Sequence, residues 1–150
     1  MTSRWFFLLL AFWLSVTAAP LSAEPVAAAE SPAVQLYQRF ARAFLLGNLE
    51  QAASLAQGKA LAVVKRKQEL VAREGKTPPP LEIEFYLMGE NPSKEGAEVE
   101  LLATVLARTR LGPGQPVATE VHRQDAVVAR RPGGWKIIHY RDNREKCCIE

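Results

Sequence analysis

Between Ser31 and Glu74 apolar residues recur every three or four positions, whereas from Leu81 onward they recur every second. That change of period divides the chain into a helical part and a strand part. Ser31-Pro32 offers an N-cap and a proline at the first helical position. Tyr37, Phe40, Ala41, Phe44 and Leu45 follow as one stripe, with Arg39 and Arg42 off it. Gly47-Asn48 ends this helix. Asn48 with Gln51 resembles a capping box and opens a short second helix ending near Ala56. After Gly58, Lys59–Glu74 makes a third helical segment with Leu61, Val64, Gln68 and Val71 at spacings of three and four. Its Lys65-Arg66-Lys67 cluster reads as a solvated face. Gly75 and the Thr77-Pro78-Pro79-Pro80 run end it, because consecutive prolines remove backbone donors and clash with a helical path.

In the strand part, Leu81, Ile83, Phe85 and Leu87 alternate with Glu82, Glu84, Tyr86 and Met88, so the odd positions are expected to meet the helices. Asn91–Gly96 is a turn, and Ala97–Leu111 a long second strand with Val99, Leu101, Ala103 and Val105 on one face. Gly112-Pro113-Gly114 turns again. Val117–Arg131 is a third strand, expected to bulge between Arg123 and Ala126 where the alternation stumbles. Arg131-Pro132-Gly133-Gly134 is a tight turn, and Trp135–Asp142 the last strand. Three helices followed by a four-stranded antiparallel meander make an α+β fold, with the helices packed on one face of the sheet. The other face mixes Glu82, Glu84, Glu98, Glu100, Arg108 and Arg110 with Tyr86, Met88, Leu102 and Leu106. Those last four are interface candidates for a homodimer; the alternative is that Lys and Arg stems cover them.

The N-terminus follows another pattern. Met1–Arg4 carries one positive charge, Trp5–Val16 is an apolar run of 12 residues, and Thr17–Ala23 is rich in small residues. This is the three-part form of a secretory signal peptide, with cleavage expected after Ala23 or Ala19; an uncleaved anchor is the alternative. No Cys lies near either point, which argues against a lipoprotein, and no later segment is long and apolar enough to span a membrane. The expected organisation is a leader over residues 1–23, a linker over 24–30, one domain over 31–142 and a tail over 143–150. The expected location is the periplasm or the secreted fraction.

Removing the leader leaves 127 residues with 18 Lys and Arg against 16 Asp and Glu. That is enough chain for a core without disulfides or metal, and too little charge to argue for nucleic acid. The basic residues do concentrate late, including Arg123, Arg130, Arg131, Arg141 and Arg144, where an acidic protein or lipid surface could meet them. Cys147 and Cys148 are adjacent. They could form a strained ring, bridge two chains, or remain free thiols; alone they cannot complete a zinc site, and no metal or other cofactor is expected.

Val34–Ala56 (VQLYQRFARAFLLGNLEQAASLA) and Ala129–Tyr140 (ARRPGGWKIIHY) resemble the opening helices and last hairpin of the nuclear-transport-factor-2-like superfamily, whose fold is also described as cystatin-like. The order of elements between them is similar to its small exported members. The resemblance implies a curved sheet wrapped around a helix, forming a cone with an apolar pocket. Some relatives are isomerases or dehydratases, while others bind ligands or dimerise, so fold alone does not choose.

The expected function is non-catalytic binding: an apolar small molecule in the cone, or an envelope protein on the sheet face. Tyr37, Phe40, Phe44, Phe85 and Trp135 are the pocket candidates, with the alternative that they fill the cone. The rival is an acid–base enzyme. It would use Asp125 as base and Tyr37 to hold an oxyanion, or His122 and His139 paired with Asp125 or Asp142. A one-residue bulge would move either histidine to the opposite face.

Overall fold

The computed structural model describes residues 30–110 and 112–149. The expected leader, and the linker up to Glu30, lie outside the described residues. Helix α1 is Pro32–Leu45, α2 Leu49–Leu55 and α3 Gly58–Glu74; strands β1 to β4 are Glu82–Pro92, Glu98–Arg110, Val117–Arg131 and Gly134–Ile149. Neighbouring strands pair antiparallel in chain order, giving one four-stranded sheet. The α+β architecture read from the periodicity is therefore present: three helices on one face of a curved, unclosed sheet.

The caps explain where the helices start. Ser31 Oγ accepts from the Val34 amide at 3.3 Å, with Pro32 behind it. Asn48 accepts from the Gln51 amide at 3.4 Å and donates to the Gln51 side chain at 3.0 Å. Gly47, between the two helices, takes φ 78° with open space around the position of a Cβ, so backbone conformation sets its identity. The Gln57 amide donates to the Ile137 carbonyl at 2.8 Å, tying the α2–α3 junction to β4.

Helix α1 lies against β3 and β4 and turns its stripe inward. Phe40 is fully buried, and its ring meets Tyr140 edge-on at 4.9 Å and stacks on Phe44 at 6.0 Å. Phe44 meets Tyr140 at 5.3 Å, and Tyr37 meets Phe85 at 6.2 Å. Val99, Leu101, Ala103, Ala126, Val128 and Ile137 supply the floor of this aromatic column. Burying each ring is worth roughly 1.5–3 kcal/mol.

Three expectations about the sheet need correction. Strand β3 pairs with β2 in unbroken register, so no bulge sits at Arg123–Ala126. The register shifts fall where β4 carries an extra residue, at Ile138 and Cys147, and where β1 does, at Met88. Residues 143–149 continue β4 rather than forming a tail. The odd positions of β1 meet the helices only in part: Ile83 and Phe85 are half-buried, while Leu81 and Leu87 are exposed, because β1 is the sheet edge farthest from α1 and α3.

Candidate functional site

The aromatic column closes one end of the cone. Tyr37, Phe40 and Phe44 are buried core side chains, and Phe85 and Trp135 pack half-buried against the same cluster. Of these five expected pocket residues, Phe44 lines the cavity described next, and the other four do not line it. Aromatic rings from one helix face and the opposing strands meet each other before they leave room for a ligand. Trp135 lies under Arg130, whose guanidinium is 5.3 Å from the indole.

The cavity, about 620 Å³, opens at the other end. Its helix wall comes from Val63, Arg66, Lys67 and Leu70, four positions of α3 at helical spacing. Thr77, Pro78 and Pro80 form a rim that the proline run holds extended. The floor is the small pair Ala107 and Thr109 on β2; beside it stand Glu120 and His122 from β3, and Asp142 and Arg144 from β4. Arg110 joins from the end of β2.

Sheet register assembles the polar wall. Glu120, His122 and Gln124 alternate on the inner face of β3, opposite Lys146, Arg144 and Asp142. His122 Nδ1 lies 3.0 Å from both oxygens of Asp142. An ionised carboxylate can only accept, so this nitrogen carries the proton. The Gln124 amide donates to Asp142 at 3.4 Å, and its carbonyl accepts from the Tyr37 hydroxyl at 2.6 Å. Asp142 thus ends a buried chain that begins on α1. On the other side of the ring, His122 Nε2 is buried without a hydrogen bond and stands 3.7 Å from Glu120, which is also 3.7 Å from Arg144.

Burial raises the Tyr37 phenol well above its ordinary pKa, and the Asp142 charge adds to this. Tyr140 is raised in the same way, chiefly by burial; its hydroxyl is enclosed beside Gln124 without a well-formed hydrogen bond. Burial lowers Lys67, while the charge of Asp142 partly restores it. The Lys67 ammonium donates to the Phe44 carbonyl at 2.6 Å and sits 4.0 Å over the Phe44 ring.

The rival catalytic pairings mostly separate. Asp125 lies on the outer face, bound by Arg141 at 2.6 Å, on the far side of the sheet from Tyr37. His139 also faces outward, opposite Val127, and does not approach His122. Only His122 with Asp142 forms. Glu120 and Gln124 were not among the expected site residues, Arg144 had been expected only in a basic surface for an acidic partner, and Arg66 and Lys67 had been read as solvated surface. Among the described residues no group of three or more His, Cys, Asp or Glu could hold a metal ion, and no helix is long and apolar enough to cross a membrane.

No family model and no curated protein matches the chain. Solved structures do. The intermembrane-space region of the chloroplast protein ARC6 aligns with TM-score 0.56 at 15% identity, over 77% of this chain and 99% of that one. A hexachlorocyclohexane dehydrochlorinase, LinA-type3 from Novosphingobium barchaimii, aligns with TM-score 0.52 at 15% identity, over 79% and 88%. A candidate dehydratase of the nuclear-transport-factor-2-like family from Streptomyces avermitilis aligns with TM-score 0.50 at 16% identity, over 73% and 90%. The chain therefore has the nuclear-transport-factor-2-like fold.

Proposed function

We propose that this is an exported, non-catalytic binding protein that holds a small amphipathic anion in the open end of its cone. The observation that carries the reading is the cavity's division into two walls. Val63, Leu70, Phe44 and the prolines offer apolar surface, while Arg66, Lys67, Arg110 and Arg144 outnumber Glu120 and Asp142. Neither Arg66 nor Arg110 has an ion pair among the described residues, so both are available to a carboxylate, sulfonate or phosphate. A cavity of about 620 Å³ falls within the usual range for drug-sized ligands, roughly 300–1,000 Å³. The exported location rests on the leader pattern of residues 1–23.

Anilinonaphthalene sulfonate, an amphipathic anion that fluoresces when sheltered from water, is the probe. Saturable one-to-one binding is expected, weakened about tenfold or more by Arg144→Gln, since hydrogen bonds to charged groups are worth about 1.5–3 kcal/mol. Equal binding of the neutral analogue phenylnaphthylamine, unchanged by Arg144→Gln, would count against the reading.

A second reading, acid–base catalysis, is favoured by one feature: Asp142 orients His122 and leaves its Nε2 without a partner. Two of the structural neighbours carry dehydrochlorinase or dehydratase names. Binding ranks first because Nε2 is buried, 3.7 Å from the Glu120 carboxylate, and not exposed toward a substrate proton. Base-promoted opening of nitrobenzisoxazole tests this. Acceleration that disappears in His122→Gln would reverse the ranking.

A further inference from the structure

His122 is 3% exposed, lines the cavity, and has one ring nitrogen served and one not. With its proton on Nδ1 facing Asp142, the neutral ring presents a lone pair at Nε2. The nearest charged group on that side is the Glu120 carboxylate, at 3.7 Å, which also only accepts. Two acceptors therefore face each other inside the wall. Glu120 is held instead by Arg144, again at 3.7 Å, and the Arg144 side chain is 58% exposed at the cavity.

We propose that the open end takes up its anion together with one proton, which His122 holds on Nε2. The proposal rests on the binding reading above. An anion that draws the Arg144 guanidinium to itself takes away the cation of Glu120. The carboxylate is then left facing a lone pair. A proton from solvent on Nε2 turns that contact into a charge-assisted hydrogen bond from imidazolium to carboxylate. Glu120 passes from Arg144 to His122, and Arg144 passes to the ligand. Only the N–H bond is new, and Asp142 holds Nδ1 in both states.

The other groups around the ring do not take this proton. On β2, the register partner of His122 is the apolar Val105, and Arg110 stands only at the strand's end. On α1, Tyr37 reaches Asp142 through Gln124; burial keeps this phenol and Tyr140 of β4 neutral well past neutrality. On α3, Arg66 lines the cavity, and Lys67 is close enough to Asp142 and Arg144 to feel both charges. Carboxylates ordinarily protonate about two pH units below histidine.

The test uses anilinonaphthalene sulfonate, whose sulfonate stays ionised throughout. Between about pH 8.5 and about pH 5.5, on either side of the ordinary histidine value, the wild-type Kd is expected to fall about tenfold. His122→Gln should bind equally at both. Because coupling is reciprocal, saturating probe should also raise the midpoint of the wild-type His122 ring titration, followed by nitrogen-15 NMR, by about one pH unit. That second measurement needs no variant, so it decides the matter even where His122→Gln fails to fold. A wild-type Kd that ignores pH, the same fall in folded His122→Gln, or an unmoved His122 midpoint would each overturn the proposal and leave the binding reading standing. No binding of the probe at either pH would overturn both.

Discussion

The two ends of the cone are built on the same sheet, yet one is solid and the other open. At the closed end α1 contributes Tyr37, Phe40 and Phe44; Phe40 and Phe44 meet Tyr140, Tyr37 meets Phe85, and all three are buried against the aliphatic floor. At the open end the cover is α3, whose fully buried positions are the small Ala60 and Val64. Its longer side chains, Arg66, Lys67 and Leu70, stand at the rim, above the small Ala107 and Thr109. The contrast teaches that this fold does not by itself contain a pocket. The side-chain volumes that each helix places over the sheet decide where space remains, and the charges lining that space decide what would fit it.

Breaking the closed end should have the largest effect. Phe40→Ala leaves a ring-sized void, and such truncations cost about 3–5 kcal/mol. A large fall in the urea midpoint is expected; a loss under 1 kcal/mol, as at an ordinary surface site, would mean that the column is loosely packed. The buried phenols give the next effect. Both Tyr37 and Tyr140 are raised in the fold, so the unfolded chain ionises first as pH rises past the ordinary tyrosine value of about 10. Their contribution to stability is complete below that pH and is lost as pH climbs toward the folded values. The slope is up to about 1.4 kcal/mol per pH unit for each phenol. Denaturant midpoints measured above that pH should fall less steeply in Tyr140→Phe; an unchanged slope would remove Tyr140 from this role.

Comparable in size is Asp142→Asn, at the join between the two ends. It removes the charge that orients His122 while keeping the shape, with an expected cost of about 1–3 kcal/mol. The nitrogen-15 shifts of His122, which report its tautomer, should change with it. The smallest effect belongs to the outer face. Asp125→Ala breaks an exposed pair with Arg141 and should cost under about 1 kcal/mol. Probe binding should be unchanged; a loss of binding would show that the outer face reaches the cleft.

How far the sequence carried differs between the same regions. Helix starts at Ser31 and Asn48, the stops at Gly47 and Gly75, and the change of period at Leu81 all act locally, so their residues announce them. The site was harder to read because bulges set it. Ile137 is buried, and strict alternation from there would turn His139 and Arg141 inward. The extra residue at Ile138 instead turns Tyr140, Asp142 and Arg144 inward and sends His139 and Arg141 out. A two-residue period cannot reveal a bulge whose cause is tertiary, here a strand that must stay paired with β3 while its Ile137 carbonyl holds the α2–α3 junction. Lys67 escaped notice for a related reason. A cation in a basic run looks solvated until its helix is docked, and only then do the Phe44 carbonyl and ring appear beside it.

The most direct measurement is an amide-resolved NMR titration of the protein with anilinonaphthalene sulfonate. If the open end is the binding site, shift changes gather at Val63–Leu70, Thr109, Glu120–His122 and Asp142–Arg144, while Ala33–Ala41 and the outer positions Tyr86 and Leu102 stay fixed. Changes centred on Tyr37, Phe40 and Trp135 would mean that the aromatic column opens to admit the ligand, and would contradict the division between a solid end and an open one.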